Sequence, residues 1–309
     1  MSFGLFQSSG DMAADKRYLW GEGAAADGDY AGAADLFRQA LELAPLWPAG
    51  WFAFAKALIE LGALDEAARA FRTCLAVNPA DTFGAALHLA RLSPEQAGWA
   101  IPGAYVEQLF DDYADRFDTH LNGILHYRGP ALIRAALLAE MARQRRDPHF
   151  KAVLDLGCGT GLMAVALAGI ADIIDGVDIS RRMLEKARAT NRYRKLDADD
   201  LVGHLVTLPA GLRYSLATAA DVLVYIGDLG PLFAAVRSRL PIGSFFAFTV
   251  QSHQGRGFAL GKDLRAAHSE AYLLGIAVDS GFSVRSFEAG SSRMDAGIDV
   301  PGYVVVLET

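Results

Sequence analysis

The chain has 309 residues, 52% of them hydrophobic and 21% charged. This is ordinary globular usage, which excludes wholesale disorder and suggests two domains. A formal net charge of -7 lacks the basic footprint that nucleic-acid backbones require, so no nucleic-acid partner is expected. Cys74 and Cys158 stand far apart and form neither a disulfide framework nor a metal-ligand spacing. A cytoplasmic protein with no bound metal is therefore expected. Residues 1–10 lack the basic and apolar pattern of a signal peptide, and no apolar run approaches the about 20 residues that cross a bilayer, so no membrane association is expected either.

The first third of the chain matches itself at a shift of 34 residues. Ala33 returns as Ala67, Phe37 as Phe71, Ala40 as Cys74 and Pro45 as Pro79, with Trp20 and Gly21 answered by Phe54 and Ala55. Large apolar residues at helical spacing, then small ones, then a helix-stopping proline are what a helix pair needs to nest against its own copy. The pattern resembles the tetratricopeptide repeat. It predicts an all-α domain over residues 14–92, with units from Ala14 to Trp47 and from Pro48 to Asp81 and a capping helix over 82–92. Residues 1–95 carry 7 basic and 12 acidic residues, so 5 of the 7 net negative charges lie here. An acidic groove is poorly suited to clamping a peptide carboxylate. Two roles stay open: bracing or oligomerising the rest of the chain, or docking a protein partner. Residues 93–103, with two prolines and two glycines, read as the linker.

From residue 104 onward, helices give way to short apolar runs alternating with helical stretches, the signature of an α/β domain with a parallel sheet. The helices of 104–148 precede the first run, Ala152 to Leu156. That run leads into Gly157-Cys158-Gly159-Thr160-Gly161 and a helix predicted over Leu162 to Ile170. Glycines allow a tight turn from strand to helix and a close approach of ligand to main chain. Asp155 stands two positions before the first glycine, and Leu162 replaces the third glycine of a dinucleotide fingerprint. The next run, Ile173 to Val177, ends in Asp178, where a carboxylate can accept from a ribose diol.

The string VLDLGCGTG…GVDIS…ML resembles the first two motifs of class I S-adenosylmethionine-dependent methyltransferases. The resemblance implies a Rossmann-like seven-stranded class I methyltransferase sheet over 104–309, its last two strands, 281–288 and 302–307, at the antiparallel end. It implies S-adenosylmethionine as cofactor and S-adenosylhomocysteine as product. Asp155 would lie by the methionine part, and the backbone of Gly157, Cys158, Gly159 and Gly161 would face it. Asp178, with Ile179 beside it, would hold the ribose. Met183 would pack on adenine or in the core. An acid after the third strand, Asp200 first and Asp199 second, would meet the adenine amino group. Ala220 and Asp221 would border the cofactor at the end of the fourth strand.

The segments from Tyr105 to Pro130, Ala219 to Leu229 and Arg265 to Tyr272 further resemble a group of bacterial methyltransferases that carry tetratricopeptide repeats ahead of the catalytic domain. Ala266 departs from that group, in which an aromatic residue is expected there. Tyr113, Phe117 and Tyr127 would form an apolar lid over the sulfonium. Methyl transfer needs a base only when the acceptor must lose a proton, and His268, His120 and Asp221 are the candidates for catalytic roles. The segment after the fourth strand lacks the Asn/Asp-Pro-Pro-aromatic turn common in base methylation, again disfavouring nucleic acid. The expected function is methyl transfer to a small-molecule or carrier-bound acceptor. A protein methyltransferase whose repeats dock the target, and a non-catalytic repeat scaffold on a vestigial fold, are the alternatives.

Overall fold

The computed structural model describes residues 7–92, 99–114, 127–295 and 297–309. The chain forms two compact units, Met1–Tyr105 and Val106–Thr309.

The first unit is helical: α1 (Met12–Ala26), α2 (Tyr30–Leu43), α3 (Pro48–Glu60), α4 (Leu64–Val77) and α5 (Ala85–Leu92). Asp11 opens α1 by accepting from the backbone N–H of Ala13 and Ala14, and Pro48 opens α3 where its missing N–H costs nothing. The repeat register explains the packing. Ala33, Ala67, Ala40, Phe37 and Phe71 are fully buried, and Cys74 nearly so. Gly21 is small because a Cβ there would stand 2.7 Å from the Phe37 ring. The matched pair Trp20 and Phe54 differs: Phe54 is 8% exposed and Trp20 55%. Trp20 lies on α1, the first described helix, with Lys16 Nζ 4.9 Å from its ring centre. α5 starts after a turn in which Asp81 accepts from the N–H of Ala85 and Ala86, and His88 on it stacks against Phe71 with ring centroids 4.9 Å apart.

The second unit contains most of α6 (Gly103–Tyr113), α7 (Gly129–Arg143) and a seven-stranded sheet. The strands are β1 (Phe150–Leu156), β2 (Ala171–Asp178), β3 (Lys195–Ala198), β4 (Leu216–Ala219), β5 (Phe245–Gln251), β8 (Ser283–Gly290) and β11 (Gly302–Glu308), in the order β3-β2-β1-β4-β5-β11-β8. β1 to β5 pair in parallel, and β11 runs antiparallel to both β5 and β8. Between β5 and β8 lie one antiparallel pair, β6 (Phe258–Leu260) with β7 (Ala266–His268), and a helix, α12 (Glu270–Asp279); a second antiparallel pair, β9 (Met294–Asp295) with β10 (Ile298–Asp299), lies between β8 and β11. The remaining helices are α8 (Leu162–Ala166), α9 (Arg181–Ala189), α10 (Leu201–Thr207) and α11 (Gly230–Arg239). α8 is shorter than the apolar pattern predicts, because the chain turns through Gly169 at φ +83° before β2.

Strand alternation divides the core into two layers. Val153, Phe245, Ala247, Val304 and Val306 pack on Ile133, Leu137 and Met163 from α7 and α8. Leu154, Phe246, Phe248, Val305 and Leu307 pack on Phe233, Val236, Leu273 and Ala277 from α11 and α12. Each buried side chain of this size contributes about 1.5–3 kcal/mol. With both faces covered, the free end for a site is the edge where the parallel strands finish, at Leu156, Asp178, Ala198 and Ala219.

Candidate active site

Asp155 is buried one residue before the end of β1. In the parallel register it stands beside Thr218 of β4 on one side and Gly176 of β2 on the other. The Thr218 hydroxyl donates to its Oδ1 at 3.0 Å and the Tyr193 hydroxyl to its Oδ2 at 2.6 Å. Tyr193 reaches across β2 only because residue 176 is glycine: a Cβ there would lie 2.9 Å from the Tyr193 ring and 2.9 Å from Cys158 Sγ. Burial pushes the Asp155 carboxyl up to about 7, opposed by the two hydroxyl donors and reinforced by the nearby Asp178 charge. A buried carboxyl in this state favours a cationic partner that restores its charge.

The turn that follows uses left-handed backbone at Gly157 (φ +64°), Gly159 (φ +53°) and Gly161 (φ +94°). At Gly157 a side chain is also excluded by space, since a Cβ would sit 2.3 Å from Val222 Cγ2. The Cys158 N–H donates to the Val177 carbonyl at 3.0 Å, tying the turn to β2, and burial pushes the Cys158 thiol up. Asp178, at the end of β2, accepts from the Gly159 N–H at 2.8 Å and the Ser180 N–H at 2.9 Å. Burial raises its pKa, and those backbone donors oppose the rise. Each carboxylate oxygen has a second lone pair, so Asp178 can brace the turn and still accept from a ligand.

A cavity of about 40 Å³ lies over the turn, bordered by Asp155, Gly157, Cys158, Gly159, Ala220 and Tyr127. α6 ties to both sides of this edge. Ser180 Oγ donates to Asp111 Oδ1 at 2.5 Å, and the Phe110 ring meets Tyr225 edge-on at 5.2 Å. Tyr113 ends α6, half-buried. Phe117 and His120 lie outside the described residues.

Several expected residues are placed differently from the sequence reading. Asp200 caps α10, its Oδ1 accepting from the Gly203 N–H at 2.9 Å, and is exposed. Asp199 is half-buried, and its backbone N–H donates to the Asp178 carbonyl at 3.1 Å. Met183 is fully buried, and Ile179 beside Asp178 is half-buried. Asp221 has a left-handed backbone (φ +60°), and its carboxylate is held by Ser292 Oγ at 2.6 Å and Arg293 Nη1 at 3.2 Å. Its neighbour Ala220, and not Asp221, is among the residues that border the cavity. His268 is fully buried on β7, its Nε2 2.8 Å from the Gly227 carbonyl. That oxygen can only accept, so Nε2 carries the hydrogen, and burial lowers the imidazole pKa to about 4. It is not among the residues that border the cavity, and its Nδ1 is buried without a hydrogen-bond partner.

Sequence reasoning overlooked Tyr193, Thr218, Gly176 and Arg293. Thr218 is the polar position in the otherwise apolar β4, a signal that was available. Arg293 has no local signal, because its partners come from residues 221, 251 and 263.

A Rossmann-like sheet with one reversed strand near its edge, a glycine turn after β1 and acids at the ends of β1 and β2 define a class I methyltransferase domain. Residues 153–242 match the methyltransferase domain family and residues 24–92 the tetratricopeptide repeat family. The chain thus joins a region that matches the tetratricopeptide repeat family to a later one that matches the methyltransferase domain family.

Among curated relatives, the biotin biosynthesis bifunctional protein BioCD of Bordetella avium is 30% identical over 50% of this chain and 32% of its own length. The ubiquinone biosynthesis O-methyltransferase of Thiobacillus denitrificans is 26% identical over 36% of this chain and 48% of its own. The chain therefore spans about a third to a half of the length of these relatives. Among solved structures, magnesium protoporphyrin IX methyltransferase from Synechocystis, with bound S-adenosylmethionine, aligns over 69% of this chain and 99% of its own at 17% identity and a TM-score of 0.50. The 1,6-didemethyltoxoflavin-N1-methyltransferase of Burkholderia thailandensis, with S-adenosylhomocysteine, aligns over 69% and 92% at 16% identity and 0.51. At these identities the likeness is one of fold.

Proposed function

We propose that residues 106–309 form an S-adenosylmethionine-dependent methyltransferase acting on a small-molecule or carrier-bound acceptor. The observation that carries this reading is the pair of buried carboxylates, Asp155 and Asp178, on either side of the glycine turn. A dinucleotide pyrophosphate would meet two acids there and a helix, α8, of only 5 residues. A ligand with a cationic amino-acid end and a ribose diol fits the same donors and acceptors.

In this reading Asp155 holds the amino group, with Tyr193 and Thr218 fixing the carboxylate's orientation. Asp178 accepts from the ribose hydroxyls while bracing Gly159, and Asp199 stands further along the same edge toward adenine. Tyr127 borders the methionine end and keeps water from it. When bound, S-adenosylmethionine supplies a methyl group on a sulfonium, displaced in line as the sulfur leaves with the electron pair. The protein's share of the catalysis is positioning and exclusion of water, for which this braced turn is suited.

Titration calorimetry on the full chain tests the reading. Binding of S-adenosylmethionine and S-adenosylhomocysteine is expected in the micromolar range, and no heat at high micromolar cofactor overturns it. Asp178→Ala should weaken binding at least about tenfold, the effect of losing hydrogen bonds to a charged group.

A further inference from the structure

Beside the cavity, where β4 and β5 end, the second unit gathers two arginines, Arg265 and Arg293, around Asp221 and Asp263. Arg293 is the more unusual. Its side chain is 3% exposed, Nη1 pairs with Asp221 at 3.2 Å, and Nη2 lies 3.0 Å from Gln251 Oε1 and 3.5 Å from Asp263. Its Nε is buried with no hydrogen-bond partner. A guanidinium hydrogen left unpaired away from water is costly, so it marks a place where an acceptor atom is missing. Arg265 stacks over Tyr225 with its Cζ 5.7 Å from the ring centre. Burial works against its charge, and Tyr225, Asp221 and Asp263 more than offset this.

The cluster adjoins the methionine end of the candidate cofactor site. Ala220 borders the cavity and Asp221 is the next residue. Tyr127 borders it too, and the following residue is pinned to the arginine's own segment: the Arg128 N–H donates to the Ser292 carbonyl at 2.7 Å. Burial raises the Tyr127 phenol, which also feels the Asp221 and Asp155 carboxylates and, in the opposite sense, Arg293. The phenol therefore stands between the two sites.

We propose that Arg293, with Arg265, binds a carboxylate on the methyl acceptor, making this the acceptor subsite for small or carrier-bound carboxylic acids. The two arginines and two aspartates cancel, and it is the unpaired Nε hydrogen that calls for an added acceptor. A planar carboxylate also matches the geometry of a guanidinium edge, which a neutral amide matches only in part. The proposal rests on the methyltransferase reading for its role but not for its chemistry, and the test separates the two.

The full chain is saturated with S-adenosylhomocysteine, binding being verified by calorimetry. Acetate, succinate and benzoate are then titrated against their amides, acetamide, succinamide and benzamide, at constant ionic strength, with thermal shift and ligand-observed NMR as readouts. At least one carboxylate is expected to bind and its amide to bind about tenfold more weakly or not at all. Arg293→Lys keeps the charge that pairs with Asp221 but removes Nε, and it should abolish the preference for the acid while circular dichroism stays unchanged. Arg265→Gln provides a second variant and should weaken the same carboxylate. No binding by any of the three carboxylates, equal binding of acid and amide, or an acid preference that survives in both variants overturns the proposal. If S-adenosylhomocysteine itself fails to bind, the methyltransferase reading falls, and the same titrations without it judge the arginine site alone.

Discussion

The two units solve different problems with their interiors. Among the described residues, the repeat unit buries only two polar or charged side chains, Asp81 and His88, whereas the sheet unit buries fifteen, including Asp155, Asp178, His268 and Arg293. The repeats are held by alanines and aromatics that recur at one spacing, so their interior is apolar and locally specified. The sheet unit keeps carboxylates and a guanidinium out of water at one edge, where each needs partners to offset its desolvation. Where the buried polar groups lie, and not where the core is largest, is what separates scaffold from site.

The largest expected effect tests the scaffold side. Phe71→Ala removes a fully buried ring and should cost the repeat unit about 3–5 kcal/mol in urea unfolding. Cofactor affinity should not change; if it falls in step, the division of labour is wrong.

Titration with pH sharpens the contrast next. Burial raises the Asp155 carboxyl from 3.8 to about 7, so its contribution to stability is complete below pH 4 and is lost as pH rises through 7. Asp155→Asn should flatten that loss, raising the melting temperature at pH 8 while weakening cofactor binding. His88 has the opposite sign. Burial lowers its imidazole from 6.5 to about 4, so its contribution is present above pH 6.5 and lost as pH falls to 4. His88→Leu should remove up to about 3 kcal/mol of acid sensitivity from the repeats and leave binding unchanged.

Gly157→Ala should cost about 1–3 kcal/mol through its left-handed backbone and the collision with Val222, and cofactor binding should fall with it. The smallest effect separates two neighbours. Asp200→Ala should cost about 1 kcal/mol as a lost helix cap without altering binding, whereas Asp199→Ala should weaken cofactor binding with little change in stability. The reverse outcome would return Asp200 to the adenine role that its spacing first suggested.

Much of the molecule was legible before any coordinate. The shift of 34 residues exposed the helix pairs because a repeat writes its packing twice. It did not foretell that Trp20 is exposed where its match, Phe54, is buried. The glycine turn with Asp155 and Asp178 was legible because strand-to-helix turns and strand-end acids are local features. That Asp200 caps a helix was not legible, because spacing alone does not tell a cap from a contact. The burial of His268 was not legible, because a histidine in a motif carries no mark of how deeply it lies.

The amino-acid sequence by itself determined the repeats, the order of strand and helix, and the backbone conformation of the turn, since each depends on residues close together in the chain. Only the tertiary structure decided that Tyr193 crosses Gly176 to reach Asp155, and that residues 221, 251, 263 and 293 meet in one charged cluster. Those encounters join segments that are distant along the chain, and what brings them together is the closing of the sheet, a long-range event that no local pattern encodes.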